Sequence, residues 1–257
     1  MELFHALLLG LVQGITEWLP VSSSAHLIIA RELLGITASP AFDVALHAGT
    51  LLAVTIVFWK DFLEMASAAL RLDFKSHAGK TALLIVLATI PAAVAGVLFN
   101  DFFESLFSNL AAVGTALVFT AILLYSASKT DGKIDVGKKQ AAVIGFAQVA
   151  AIAPGISRSG ATISAAMLAG VEKSKAAAFS FMLSVPITLG AALFEIRKAS
   201  LLELDPTATI LGIAVAALFG YASIRLLLKL VKESKLQWFA YYCWFVGLAC
   251  VAWSFLK

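Results

Sequence analysis

The chain has 257 residues, 61% of them hydrophobic and 14% charged, with a formal net charge of +3. A soluble globular domain is about 45–50% apolar and about 25% charged, so this composition excludes an ordinary soluble protein. Apolar stretches run long and unbroken from residue 3 to residue 256, which predicts an all-α polytopic membrane protein and excludes a β-barrel. No nucleic-acid partner is expected.

The predicted elements fall into two similar sets. A region at 3–30, interrupted by TEWLPVSSSAH, is followed by three apolar segments long enough to span a membrane. A region at 141–170, interrupted by APGISRSGAT, is followed by three more. We predict a single membrane domain, 1–257, with six full spans and ten helices. The predicted spans are 42–59, 81–99, 111–127, 177–195, 207–228 and 238–256.

The two interrupted regions are predicted to be re-entrant helical hairpins. Proline removes a backbone donor and glycine weakens a helix, so each region is expected to form two short helices. Irregular backbone at membrane depth persists only where protein or a water-filled cavity surrounds it. A hairpin that returns to its own side satisfies this condition.

The distribution of basic residues tests this topology. If both hairpins return to their own sides, fourteen of the 19 Lys and Arg residues lie on one side and four on the other, with Arg158 inside the second hairpin. Because cytoplasmic loops carry the excess of Lys and Arg, both termini are predicted to lie outside the cytoplasm. The four on the outer side are Arg31, Arg197, Lys198 and Lys257.

The two halves resemble each other in sequence. GLVQGITEWLPVSSSAH at 10–26 resembles GFAQVAAIAPGISRSGA at 145–161, and AFDVALHAGTLLAV at 41–54 loosely parallels AFSFMLSVPITLGA at 178–191. Each half, 1–127 and 138–257, is predicted to hold one hairpin and three spans. Because three spans carry the chain to the opposite side of the membrane, the second repeat is predicted to be inverted relative to the first. The functional site is then expected near the midplane, where the broken helices meet.

Polar side chains concentrate in the hairpins. Gln13 and Glu17 lie four residues apart, on one helical face, and a serine run and a histidine follow them. Glycine, serine and arginine together at a helix start describe an anion site. Two non-functional explanations remain open: packing of helices through small residues, and a Glu–Arg pair with a purely structural role. The residues concerned are Ser22, Ser23, Ser24 and His26 in the first hairpin, and Gly155, Ser157, Arg158, Ser159, Gly160 and Thr162 in the second.

Other polar and aromatic residues are weaker candidates. Asp43 and His47 lie four residues apart at the start of a span, where a cavity lining and an interfacial position are both open, and we favour the interface. The five tryptophans fall mostly near span ends and are expected to be interfacial anchors.

QGITEWLPVSSSAH and PGISRSGAT resemble the two signature segments of the undecaprenyl-diphosphate phosphatase family, also called bacitracin-resistance proteins. The resemblance covers essentially the whole chain. It implies removal of the terminal phosphate from undecaprenyl diphosphate, in a bacterial plasma membrane. A divalent cation, Mg²⁺ or Ca²⁺, and an active site opening to the outer face are also implied. Gln13 stands where the family pattern has Glu or Gln, so Glu17 alone is left for the acid–base or metal role.

A mechanistic hypothesis follows from these residues. Arg158 and the backbone N–H groups of Gly155–Gly160 are expected to hold the diphosphate while Ser23 attacks, with His26 or Glu17 as base. Attack by His26 or by water remains open. Gln13, Ser22, Ser24, Ser157, Ser159 and Thr162 complete the predicted substrate-binding set.

A different function uses the same anion site. Inverted repeats with broken helices are typical of transporters, so a lipid-phosphate flippase or secondary transporter is the alternative. The expected partners are a polyprenyl diphosphate lipid and the membrane itself, and the sequence leaves a homodimer open.

Overall fold

The computed structural model describes residues 2–196 and 204–256. Within this part of the chain the protein is all-helical, which confirms the predicted class, and two residues, Ile134 and Val171, form an isolated β-bridge. The predicted residues Arg197, Lys198 and Lys257 lie outside the described residues. The helices are α1 Leu3–Trp18, α2 Ser23–Leu34, α3 Pro40–Val57, α4 Trp59–Leu70, α5 His77–Leu98, α6 Asn100–Leu106, α7 Leu110–Ser128, α8 Lys138–Ala150, α9 Arg158–Leu168, α10 Lys173–Ile196, α11 Pro206–Lys232 and α12 Gln237–Ser254.

The predicted number of ten helices is wrong, because the described residues form twelve. The two additional helices, α4 and α6, lie in stretches that the sequence analysis treated as connections. In α4 the buried residues Met65 and Ala68 are three apart on one face, while Lys60, Asp61 and Glu64 are polar. Such an amphipathic helix has too many charges to be recognised as a span, and α6 has only seven residues.

Five of the described helices are long and apolar enough to cross a membrane: α3, α5, α7, α10 and α11. They correspond to five of the six predicted spans and make this a multi-pass membrane protein. The sixth predicted span, 238–256, is helical as α12 but is not among the five. Its Trp and Tyr residues make it less apolar than the other long helices.

Each interrupted region folds back on itself. In the second, Ile134 N–H donates to Gly170 O at 3.2 Å and Glu172 N–H donates to Ile134 O at 3.1 Å, so the chain entering α8 lies beside the chain leaving α9. In the first, Ile36, just after α2, belongs to the same apolar cluster as Ala6 near the start of α1.

Small residues allow the helices to approach closely. A Cβ atom on Gly10 of α1 would lie 2.6 Å from Gly212 O of α11, and one on Gly145 of α8 would lie 2.8 Å from Ala88 O of α5. Since Gly10 and Gly145 are matching residues of the sequence repeat, α1 packs on α11 as α8 packs on α5. Small residues at such contacts are characteristic of membrane helix packing, because they let backbones meet.

The same contacts fix the relative helix directions. Along α1, Gly10 meets Gly212 and Gly14 meets Ala216, so α1 and α11 run parallel. In contrast, α7 and α12 cross with Gly114 against Gly247. Tyr125, later on α7, contacts the earlier Tyr241 of α12 with ring centroids 6.2 Å apart, so these two helices run antiparallel.

Candidate active site

The tips of the two hairpins meet at one carboxylate. Glu17, in the last turn of α1, accepts a hydrogen bond from Ser23 Oγ at 2.5 Å and from Gln13 Nε2 at 3.1 Å, both on Oε2. Its other oxygen, Oε1, accepts from Arg158 Nη2 of the second hairpin. The sequence motifs predict a shared site for these residues, and the structure brings the residues together.

This carboxylate and this guanidinium are both withdrawn from solvent. The side chain of Glu17 is 7% exposed and that of Arg158 is 16% exposed. A buried charge is tolerated when it is paired and hydrogen-bonded, as it is here. Trp18 contributes its ring face, 5.3 Å from the Arg158 guanidinium carbon. Trp18 is 1% exposed, so the expectation of an interfacial anchor is wrong for this tryptophan.

A serine caps the N-terminus of a helix in each of the two motifs. Ser22 caps α2 by accepting from Ala25 N–H at 3.4 Å, and Ser157 caps α9 by accepting from Gly160 N–H at 3.1 Å. A side-chain oxygen that accepts from an exposed helix N–H is the usual N-cap, and it explains why each helix starts at the next residue. Ser23 and Arg158 are therefore the first residues of their helices. Ser22 has φ of 69°, an unfavourable conformation for a non-glycine residue, of the kind that concentrates at functional sites.

Most of the other predicted substrate-binding groups of the second hairpin are engaged within the protein. Ser159 Oγ donates to Leu19 O at 3.4 Å, which links the two hairpins. Thr162 Oγ lies 2.5 Å from Ser180 Oγ and bonds Arg158 O, and the N–H of Gly160 is used by the cap. These groups support the position of Arg158 rather than present free donors.

The backbone conformation and close packing at position 155 require glycine. Its φ is +97°, and a Cβ atom there would lie 2.3 Å from Val113 O of α7. Thr120, also on α7, donates to Gly155 O at 3.1 Å and accepts from Ser157 N–H at 3.0 Å. Thr120 was not identified from the sequence, because nothing local marks a threonine inside an apolar span as the partner of a distant loop.

Both ring nitrogens of His26 hydrogen-bond to groups other than Ser23. Its Nδ1 bonds Ser22 O at 2.8 Å, and its Nε2 bonds Tyr242 Oη at 2.7 Å, with the two rings stacked at 5.6 Å. A carbonyl oxygen only accepts, so Nδ1 carries the hydrogen and Nε2 accepts from the tyrosine hydroxyl. Both ring nitrogens are thus occupied. Tyr242 was also missed, since it lies 216 residues along the chain.

His47 is also closer to the site than its position in the sequence suggests. It lies on α3, and its Nε2 is 3.7 Å from Glu17 Oε2. We favoured an interfacial position for His47, and the structure instead places it beside the central carboxylate. Its spacing of four from Asp43 was the available signal, since it puts both on one helical face.

The site has oxygen atoms suited to a hard cation. Mg²⁺ and Ca²⁺ prefer carboxylate and amide oxygens. Gln13 Oε1 is buried and has no hydrogen-bond partner among the described residues, and it lies on the same side chain that bonds Glu17. No group of three or more His, Cys, Asp or Glu that could hold a metal occurs in the described part of the chain. Glu17 and Gln13 Oε1 could therefore hold a cation only if a phosphate ligand supplied further oxygen atoms.

Together these features define a class: an integral membrane protein whose broken helices carry a serine hydroxyl, a carboxylate and an arginine in one buried centre. The model of the bacitracin resistance protein BacA family matches residues 6–249. The chain belongs to the bacitracin resistance protein BacA family.

Relatives similar over their full length carry a functional name. A protein named undecaprenyl-diphosphatase from Halothermothrix orenii is 42% identical over 259 residues, which cover 98% of each chain. Proteins of the same name from Christiangramia forsetii and Geotalea daltonii are 41% and 42% identical, covering 100% of this chain and 100% and 99% of their own.

Proposed function

We propose that this protein is an undecaprenyl-diphosphate phosphatase, which hydrolyses undecaprenyl diphosphate to undecaprenyl phosphate and inorganic phosphate. Its family and the names of its full-length relatives support the substrate. The observation that carries the chemistry is the 2.5 Å hydrogen bond from Ser23 Oγ to Glu17. A hydroxyl bonded to a carboxylate that can accept its proton is an activated nucleophile, which a protein that only binds or transports the lipid does not need.

In the proposed first step, Ser23 Oγ attacks the terminal phosphorus and passes its proton to Glu17. The new Oγ–P bond forms as the bridging P–O bond breaks, and undecaprenyl phosphate leaves with the bonding electrons. Arg158 binds the phosphate oxygens, because its planar fork matches them and its Nη1 has no partner among the described residues. In the second step, water releases phosphate from Ser23.

Serine is preferred to His26 as the attacking group. Ser23 is bonded to the base, whereas the ring nitrogens of His26 bond Ser22 O and Tyr242 Oη. Ser24 stays available for the substrate, since its side chain is part-exposed and its hydroxyl lies 3.1 Å from Ser22 Oγ. We assign His26 and Tyr242 to the wall of the site.

A divalent cation is part of this proposal. Glu17 and Gln13 Oε1 would hold Mg²⁺ or Ca²⁺ together with the diphosphate. The cation would supply charge neutralisation for the phosphate oxygens.

The inverted repeat is supported by reciprocal packing. The pair α1–α11 corresponds to the pair α8–α5, and the pair α3–α11 corresponds to the pair α10–α5. The equivalent helices α7 and α12 pack on each other. In the last pair a Cβ on Gly114 would lie 2.7 Å from Gly247 O, and one on Gly247 would lie 2.8 Å from Gly114 O. Such a reciprocal contact is expected where a two-fold axis passes between equivalent helices.

The helix directions support the proposed topology. If both hairpins return to their own sides, α1, α3 and α11 descend from the outer face and α7 runs opposite to α12, in agreement with the packing. Combined with the basic residues, this supports the proposal that both termini lie outside the cytoplasm, in the bacterial inner membrane. Because Ser23 and His26 lie on the hairpin that enters from outside, the site opens to the outer face. All of its residues come from one chain, so a homodimer is not required.

Phosphate release by the purified protein in detergent tests the function. We expect cation-dependent release from undecaprenyl diphosphate, lost in Glu17→Gln and Ser23→Ala. Glu64→Gln, on the partly exposed helix α4, is the matched control and keeps activity. Absence of release from folded wild-type protein that still binds the lipid would instead support the transporter.

A further inference from the structure

His47 lies beside the buried carboxylate of Glu17, and the steps above do not use it. Its side chain is 34% exposed, and its Nε2 lies 3.7 Å from Glu17 Oε2, the same oxygen that accepts from Ser23. That separation is too long for a direct hydrogen bond. Nε2 makes no hydrogen bond within the described residues.

The orientation of the ring is fixed by the backbone. Nδ1 of His47 lies 2.8 Å from Asp43 O, and the side chain of Asp43 is paired with Arg31 of α2. A carbonyl oxygen only accepts, so Nδ1 donates to Asp43 O and Nε2 is the ring nitrogen that faces Glu17. Nε2 and the carboxylate oxygen thus lie close together without a direct hydrogen bond. A water molecule that hydrogen-bonds to both groups would bridge them.

The sequence repeat provides an internal comparison. Its alignment pairs Glu17 with Ile152 and His47 with Ser184. Ser184 Oγ donates to Phe181 O of its own helix at 2.6 Å. The second half thus has neither the carboxylate nor the imidazole, whereas the first half has both at the site. Because Glu17 and His47 occur together in one repeat only, we connect His47 with the reaction at Ser23 rather than with helix packing.

We propose that His47 positions the water that hydrolyses the phosphorylated Ser23. This rests on the proposed function. The water oxygen bonds to phosphorus as the Oγ–P bond breaks, with its electron pair moving to Oγ. One water proton passes to Glu17, which has released the proton of the first step to solvent, and from there to Oγ. The other O–H, held by Nε2 of His47, stays on the departing phosphate. Overall one proton is released for each diphosphate hydrolysed.

A specific kinetic consequence follows. Loss of the Nε2 acceptor leaves the attack by Ser23 intact and slows the second step, because the water is no longer aligned. Misplacing a reacting group by about an ångström can cost roughly 100-fold. The phosphorylated enzyme, which the wild type consumes, then accumulates.

Rapid-quench kinetics with substrate radiolabelled in the terminal phosphate test this. In His47→Leu we expect a burst of undecaprenyl phosphate close to one per enzyme, acid-stable label on Ser23, and phosphate release roughly 100-fold slower. His47→Gln places an amide oxygen in similar reach and should recover part of the second step. His77→Leu, an exposed histidine at the start of α5, is the control.

The outcomes separate the two proposals. Normal phosphate release in His47→Leu, or a slowed first step without labelled protein in both variants, overturns the role of His47. If His47→Leu does not fold, the partition between label and released phosphate in His47→Gln decides alone. No turnover by folded wild-type protein refutes the proposed function itself.

Discussion

Ser23 and Arg158 occupy matching positions in the two hairpins, and both bind the carboxylate of Glu17. Each follows the serine that caps its helix, and the hydroxyls of the serines on either side lie 3.1 Å apart in the first hairpin and 3.2 Å apart in the second. The same local backbone structure thus presents a hydroxyl from one repeat and a guanidinium from the other. The site exists only where the two helix starts meet.

Replacing Glu17 by Gln should abolish phosphate release, because an amide cannot take the proton of Ser23. It also leaves Arg158 buried without its counter-ion, and breaking a buried pair costs about 3–5 kcal/mol. We therefore expect a lower melting temperature together with a loss of at least about 100-fold in turnover. Activity close to wild type would remove Glu17 from the mechanism.

Replacing Ser23 by Ala should abolish turnover and leave lipid binding, since Arg158 remains. The label trapped on the His47→Leu enzyme should resist acid, as phosphoserine does. Acid-labile label that survives in the Ser23→Ala background would identify His26 as the nucleophile. Ser67→Ala, an exposed serine on α4, is the control and should retain activity.

Replacing Arg158 by Lys keeps the positive charge and removes the planar guanidinium group with its paired donors. We expect KM for the lipid to rise and kcat to fall, because lysine provides a point charge instead of paired donors. The fall should exceed that for Arg71→Lys, on an exposed turn after α4. Equal effects of the two substitutions would contradict a phosphate contact by Arg158.

Chelation should stop the reaction, and added Mg²⁺ or Ca²⁺ should restore it. In Gln13→Leu the restoring concentration should be higher, because the buried Oε1 acceptor is lost. Titration of phosphate release against cation concentration measures this. An unchanged cation requirement in Gln13→Leu would exclude Gln13 as a ligand.

Replacing Thr120 by Val should destabilise the protein without directly removing a chemical group. Ser157 N–H and Gly155 O would both lose their partner, and a buried unsatisfied group costs about 1–3 kcal/mol. A lower melting temperature with a smaller loss of activity than in Ser23→Ala is expected. Thr115→Val, exposed on the same helix, should change neither.

The hairpins, most of the spans and the central residues were predictable, because hydrophobic length and Pro–Gly breaks are local properties. The amphipathic helix α4 was not, since its apolar face is only recognisable once Met65 and Ala68 have something to pack against. Trp18 was taken for an anchor because aromatic rings at span ends usually are. Its burial against Arg158 depends on the second hairpin, 140 residues away in sequence.

The sequence by itself determined the class of protein, the two interrupted regions and the residue types of the site, since each depends on composition, period and motif. Only the tertiary structure decided which partner each group has. Ser23 bonds Glu17 while His26 bonds Tyr242, and His47 stands beside the carboxylate instead of at the interface. Partner choice depends on how helices distant in the chain approach, and small residues such as Gly10 and Gly145 set that approach through contacts that no local pattern records.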